Sequence, residues 1–210
     1  MRRFLAVLLL LFSYTVFAAA PPAAPAPLLV LGDSLSAARA ASPSRFRPVC
    51  RARRLADGDA ATRRGVVNAS ISGETTSGGL ARLPALLSTH KPGIVIVELG
   101  ANDGLRGLPL ADIRKNVASL VKLSRDAGAK VVLVGIELPI NYGPQYRDGL
   151  RAMYRDLAAE FNVSLVPFLL EGVALDPALM QDDGLHPVSA AQPKILETVW
   201  AVLKSAVAAP

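Results

Sequence analysis

The 210-residue chain holds a single cysteine, Cys50. That excludes an intramolecular disulfide framework and any cysteine-rich zinc site. Aromatic residues make up 5% and charged residues 19%, against 51% hydrophobic, which excludes intrinsic disorder as the overall state. After residue 20 no apolar run reaches the roughly 18 residues needed to span a bilayer. Histidine occurs at only two positions, His90 and His186, so few groups can serve as a base near neutral pH. No internal repeat is visible. A chain of this length suits one domain and can bury a full core without disulfides or metals.

The net charge of +6 is local. Arg2 and Arg3 supply one part. Eight arginines at 39, 45, 47, 51, 53, 54, 63 and 64, against Asp57 and Asp59, supply another. The remainder is slightly acidic. A basic tract can signal nucleic acid or anionic lipid. This one lacks interleaved aromatics beyond Phe46 and any recognised binding motif, so no nucleic-acid partner is expected.

Met1-Arg2-Arg3, the apolar run Phe4–Phe12 and Ala18-Ala19-Ala20 follow the three-part pattern of a secretory signal peptide. Residues 1–20 are therefore expected to be a signal peptide, with an uncleaved anchor as the alternative. Residues 21–27 form a Pro/Ala-rich leader, stiff and extended rather than packed, and 28–207 the folded domain. A periplasmic or secreted protein is expected, with no stable membrane insertion after cleavage.

Short β-branched runs at Leu28–Leu31, Val66–Asn68, Ile94–Leu99, Val131–Ile136 and Val163–Val166 read as strands buried on both faces. Between them, residues 111–127 place Ile113, Val117, Leu120 and Val121 on one helical stripe, and Gly128 follows as a stop. Residues 78–89, 145–160 and 189–207 are further helix candidates. Strand and helix in alternation predict an α/β, three-layer sandwich around a five-stranded parallel sheet. In such sheets, function gathers in loops at the carboxyl ends of the strands.

Four loops satisfy that condition: Gly32–Ser36, Asn68–Glu74, Gly100–Gly104 and Gln181–Pro187. Together they carry a hydroxyl, glycine amides, a carboxamide, a carboxylate and an imidazole, the inventory of nucleophilic acyl transfer. His90 follows a helix and falls on the opposite edge, where a helix-end role fits. His186 lies on the active edge and can act as the base for Ser34. Asp183, three residues upstream, can fix its tautomer, with Asp182 as a competitor for that role. Backbone N–H groups of Ser34 and Gly73 and the Asn102 amide are candidate oxyanion donors, although Asn102 could instead cap Gly104 through an Asx turn. Asp33 and Asp103 read as loop braces. Ser36 breaks the G-x-S-x-G elbow, which argues against an α/β-hydrolase.

These four blocks, in this order, resemble the SGNH, or GDSL, hydrolases. Ser34 matches the nucleophile of Gly-Asp-Ser-Leu, Gly73 the family glycine, Asn102 the asparagine of Gly-x-Asn-Asp, and Asp183 and His186 the Asp-x-x-His pair. Val66–Leu87, Val97–Leu108 and Met180–Pro187 are similar to the periplasmic multifunctional acyl-hydrolase branch of that family. The resemblance implies a flavodoxin-like fold. It implies hydrolysis of acyl esters, thioesters and lysophospholipids as small-molecule substrates. It implies no metal or organic cofactor. It also implies a loop, here Gly104–Pro109, that covers the acyl chain, with Leu105 and Leu108 as substrate-binding candidates. A monomer is expected.

Residues 37–54 depart from the family pattern. The Trp-containing amphipathic helix expected after Ser36 is replaced by an arginine-rich stretch with little helical periodicity, as divergence or a local change of reading frame would leave. Two other readings stay open at this level: a carbohydrate O-deacetylase of the same superfamily, and a flavodoxin-like domain that binds a ligand without chemistry.

Overall fold

A computed structural model describes residues 25–37 and 64–208. The expected signal segment 1–20, most of the leader, and residues 38–63 with Cys50 lie outside the described residues. The described elements run β1 (Leu28–Gly32), β2 (Val66–Asn68), α1 (Thr76–His90), β3 (Ile94–Glu98), α2 (Ala101–Leu105), α3 (Leu110–Asp126), β4 (Lys130–Val134), α4 (Pro144–Phe161), β5 (Ser164–Val166) and α5 (Gln192–Ala208).

The five strands are parallel and ordered β2-β1-β3-β4-β5. This is the doubly wound order whose reversal beside β1 opens a crevice at the strands' carboxyl ends. Side-chain alternation along each strand splits the apolar runs between two layers. Leu29, Leu31, Val95, Val97, Val131 and Leu133 join one core with α1, α3 and α4. Leu28, Val30, Ile94, Ile96, Val132 and Val134 join the other with α5. Continuous runs were needed because both faces of the central strands are dry.

Helix α3 buries Ile113, Val117, Leu120 and Val121 as its periodicity requires, and Gly128 just beyond it adopts φ +83°, the left-handed geometry that closes a helix. Helix α1 starts at Thr75, whose hydroxyl accepts from Gly78 N. It ends at His90, on the edge away from the functional loops.

One short helix, α2, was not expected, because five residues of Ala-Asn-Asp-Gly-Leu carry turn signals rather than helical periodicity. Gly100 makes it possible. Its φ is +122°, and a Cβ there would lie 2.3 Å from Tyr154 Oη. Tyr154 itself donates to Leu99 O at 2.6 Å, so the buried phenol presses the chain into its turn. Strand β4 stops at Val134, two residues before the expected Ile136, because Gly135 leaves the ladder to bond Val166 O and Leu169 N.

Candidate active site

The four loops named above meet at the carboxyl edge of the sheet. Beyond β1 the chain turns through Asp33–Ala37, with Ser36 N and Ala37 N both donating to Asp33 O. Ser34 sits at the top of this turn. Its Oγ lies 2.8 Å from His186 Nε2. On the far side of the ring, His186 Nδ1 is 2.7 Å from Asp183 Oδ2.

Asp183 is the carboxylate that meets the histidine; Asp182 makes no such contact. The reason is the tight loop that presents both residues. Gln181 N donates to His186 O, Gly184 N donates to Gln181 O, and Met180 pairs with Pro187 across the base. Gly184 takes φ +64°, which suits glycine. The remaining oxygen of Asp183 accepts from both Leu185 N and His186 N at 2.9 Å. The backbone donation from His186, helped by its ring and by Leu185 N–H, lowers the Asp183 pKa to about 2. Its charge is secured by donors rather than by burial.

Asn102, on α2, stands at the same edge. Its amide nitrogen donates to Asp33 Oδ2 at 3.1 Å and to Glu74 O at 2.9 Å. Both amide hydrogens are therefore engaged, tying the Ser34 turn to the loop that carries Gly73. Gly73 has φ +80° with open space where a side chain would project. That loop is clamped from behind: Arg82 bonds Glu74 and Ala69 O, and Arg106 bonds Gly73 O. Among the described residues, neither the Ser34 nor the Gly73 N–H has an acceptor. Asp103 braces the next helix, accepting from Thr76 N and Thr76 Oγ1.

With this geometry in view, residues 30–192 match the GDSL-like lipase/acylhydrolase family. The chain belongs to that family. It is 52% identical to esterase TesA of Pseudomonas aeruginosa over 84% of this chain and 87% of that protein. It is 48% identical to an arylesterase of Vibrio mimicus over 82% and 85% of the two chains. With thioesterase 1/protease 1/lysophospholipase L1 of Escherichia coli K12 it shares 46% identity over 81% and 79%. Among solved structures, that of TesA matches with TM-score 0.79 and 50% identity, covering 86% of this chain and 99% of that one. Esterase EstA from Pseudoalteromonas, inhibited by monoethylphosphonate, matches with TM-score 0.77 and 37% identity, covering 86% and 97%.

In this GDSL-family chain a cleft of about 80 Å³ opens beside Ser34 and His186. Leu105 lines it. Leu108 does not; it is more than a third exposed and stands apart from the cleft. Tyr142 and Tyr146 donate to Leu105 O and Leu108 O; Leu105 is the last residue of α2 and Leu108 lies beyond it. Most of the apolar wall comes from Ile136, Leu138, Phe168, Leu169 and Leu185. Ile136, Leu138, Phe168 and Leu169 were not legible as a site, because they follow β4 and β5 and look like ordinary core, whereas Leu185 belongs to the Gln181–Pro187 loop. Also unanticipated was Glu98, buried at the end of β3 under the Ser34 turn. Among the described residues no group of three or more His, Cys, Asp or Glu is placed to hold a metal ion, and no helix is long and apolar enough to cross a membrane.

Proposed function

We propose that the protein hydrolyses acyl esters and thioesters through a Ser34–His186–Asp183 triad. The observation that carries the reading is the continuous Ser34 Oγ–His186 Nε2 and His186 Nδ1–Asp183 Oδ2 relay. Serine is a weak nucleophile until a base removes its proton. Ser34 Oγ attacks the carbonyl carbon while its proton passes to His186 Nε2, and Asp183 stabilises the imidazolium. The oxyanion is received by Ser34 N–H and Gly73 N–H, and by Asn102 when its amide exchanges Glu74 O for the substrate oxygen. Collapse breaks the bond to the leaving alcohol or thiol, which takes the proton from His186. Water then attacks the acyl-Ser34, losing a proton to His186, and the acid is released with Ser34 restored.

The apolar cleft favours an acyl chain over a sugar as the group beside Ser34. The names of the relatives, esterase, arylesterase and thioesterase/lysophospholipase, support the same substrate class. The signal-like residues 1–20 support action outside the cytoplasm.

The test is covalent labelling by a fluorophosphonate together with turnover of p-nitrophenyl octanoate and acetate. Labelling at Ser34, and faster turnover of the longer ester, are expected. An unlabelled protein, or one that prefers acetyl esters of carbohydrates, overturns the proposal.

A further inference from the structure

Glu98 and Asp33 form a buried carboxyl pair directly under the nucleophile turn. Each is only 1% exposed, and neither makes an ion pair with a cation among the described residues. Asp33 N donates to Glu98 Oε2 at 3.2 Å, which sets the two carboxyl side chains against each other. Two dry carboxylates in contact cannot both be ionised without a large cost, so the pair retains a proton.

The donors decide which group carries it. Asp33 Oδ1 accepts from Leu35 N at 2.9 Å, and Oδ2 accepts from Asn102 Nδ2 at 3.1 Å. Glu98 Oε2 accepts a longer bond from Asp33 N, at 3.2 Å, and the Ser36 hydroxyl is a further donor to the Glu98 carboxyl. Glu98 Oε1 has no donor among the described residues. Asp33 is the ionised partner and Glu98 the acid. Burial, reinforced by the charge of Asp33, pushes Glu98 well above the ordinary glutamate range, and burial raises Asp33 to about 6. The packing leaves no alternative seat. A Cβ on Gly32 would come within 2.5 Å of Glu98 Oε2, so a glycine is needed for the carboxyl to lie against the backbone.

We propose that Glu98, as a neutral carboxylic acid hydrogen-bonded to Asp33, is a positioning residue for acyl transfer: it holds the Asp33 carboxylate where that group fixes both the Leu35 N–H behind Ser34 and the amide of Asn102. Glu98 touches no reacting atom. It acts through Asp33 on the turn that presents Ser34 and on the side chain that bridges to the Gly73 loop. The inference rests on the proposed role of Ser34.

The experiment compares Glu98→Gln and Glu98→Ala with the parent enzyme, by steady-state kinetics and by infrared spectroscopy of the protein labelled with 13C at glutamate side chains. Gln at this position can donate to Asp33 and accept from its N–H as the neutral acid does, so kcat is expected to stay within about threefold of the parent. Ala leaves Asp33 unsupported, and kcat is expected to fall roughly 10²-fold at nearly unchanged KM. The parent should show a protonated glutamic acid carbonyl band at neutral pH that Glu98→Gln lacks. A Gln variant as impaired as Ala, an Ala variant with parental kcat, or no acid band overturns the proposal. If Glu98→Ala does not fold, the Gln variant and the infrared band still decide. Failure of the nucleophile assignment is read separately, as an absence of fluorophosphonate label at Ser34 in the parent, and the infrared result stands apart from it.

Discussion

Ser34 Oγ and His186 Nε2 are separated by 152 residues in the chain and by 2.8 Å in space. The hydroxyl is carried by the turn after β1 and the ring by a closed loop before α5. Because both loops leave the same edge of the sheet, the contact depends on the order of strands rather than on any local feature. Substituting the hydroxyl tests it directly. Ser34→Ala is expected to abolish p-nitrophenyl ester turnover while circular dichroism and the melting transition stay close to the parent. Turnover at the parental rate would refute the assignment.

Asp183 is ionised throughout the working range, since its pKa lies at about 2. Its folded value is below the ordinary 3.8, so what it contributes to stability is present above pH 3.8 and lost as pH falls through about 2. Any loss of activity in mild acid must therefore come from other groups. Asp183→Asn is expected to lower kcat by about 10³–10⁴-fold, because the amide favours the wrong imidazole tautomer. An acid limb of the kcat profile that disappears in this variant would contradict the assigned pKa.

Asn102 bridges Asp33 and Glu74. Asn102→Ala is expected to lower kcat by roughly 10²–10³-fold, about 2.7–4 kcal/mol, with KM little changed, as for loss of an oxyanion donor. An effect confined to KM would leave Asn102 with bracing alone.

Leu105 and Leu108 separate cleft from surface. Leu105→Ser is expected to weaken kcat/KM for octanoyl esters by about tenfold relative to acetyl esters, as removing one apolar contact from an acyl chain should. Leu108→Ser should leave that ratio unaltered. Equal effects of the two substitutions would place the chain elsewhere.

The Asp33–Glu98 pair also sets a pH dependence of stability. Both carboxyls have raised folded pKa values. The folded state therefore binds more protons than the unfolded chain once pH exceeds the ordinary carboxylate values. The pair's contribution is fully present in acid and is lost as pH rises through those folded values. Glu98→Gln removes one of the two acids. Its melting temperature relative to the parent is expected to rise between about pH 4 and about pH 8. Thermal melts at the two pH values check this, and a constant difference would show that Glu98 binds its proton equally well in the folded and unfolded chain.

Much of this protein is decided locally. Burial on both faces of Val95–Val97 or Val131–Leu133, the stripe of Ile113, Val117, Leu120 and Val121, and the turn chemistry of Asp183-Gly184 follow from side-chain periodicity and backbone preference. The rule that loops leaving strand ends share an edge then suffices to bring Ser34, Asn102, Asp183 and His186 to one place. What the sequence cannot specify by itself is how groups divide protons, hydrogen bonds and exposure once they are there. Glu98 reads as one more residue of a strand until Asp33, 65 positions away, is found beside it. Leu105 and Leu108 are alike in composition, and only one of them, at the end of α2, lines the cleft. Ionisation and burial depend on distances of a few ångströms between segments remote in the chain, and those distances exist only after the layers have packed.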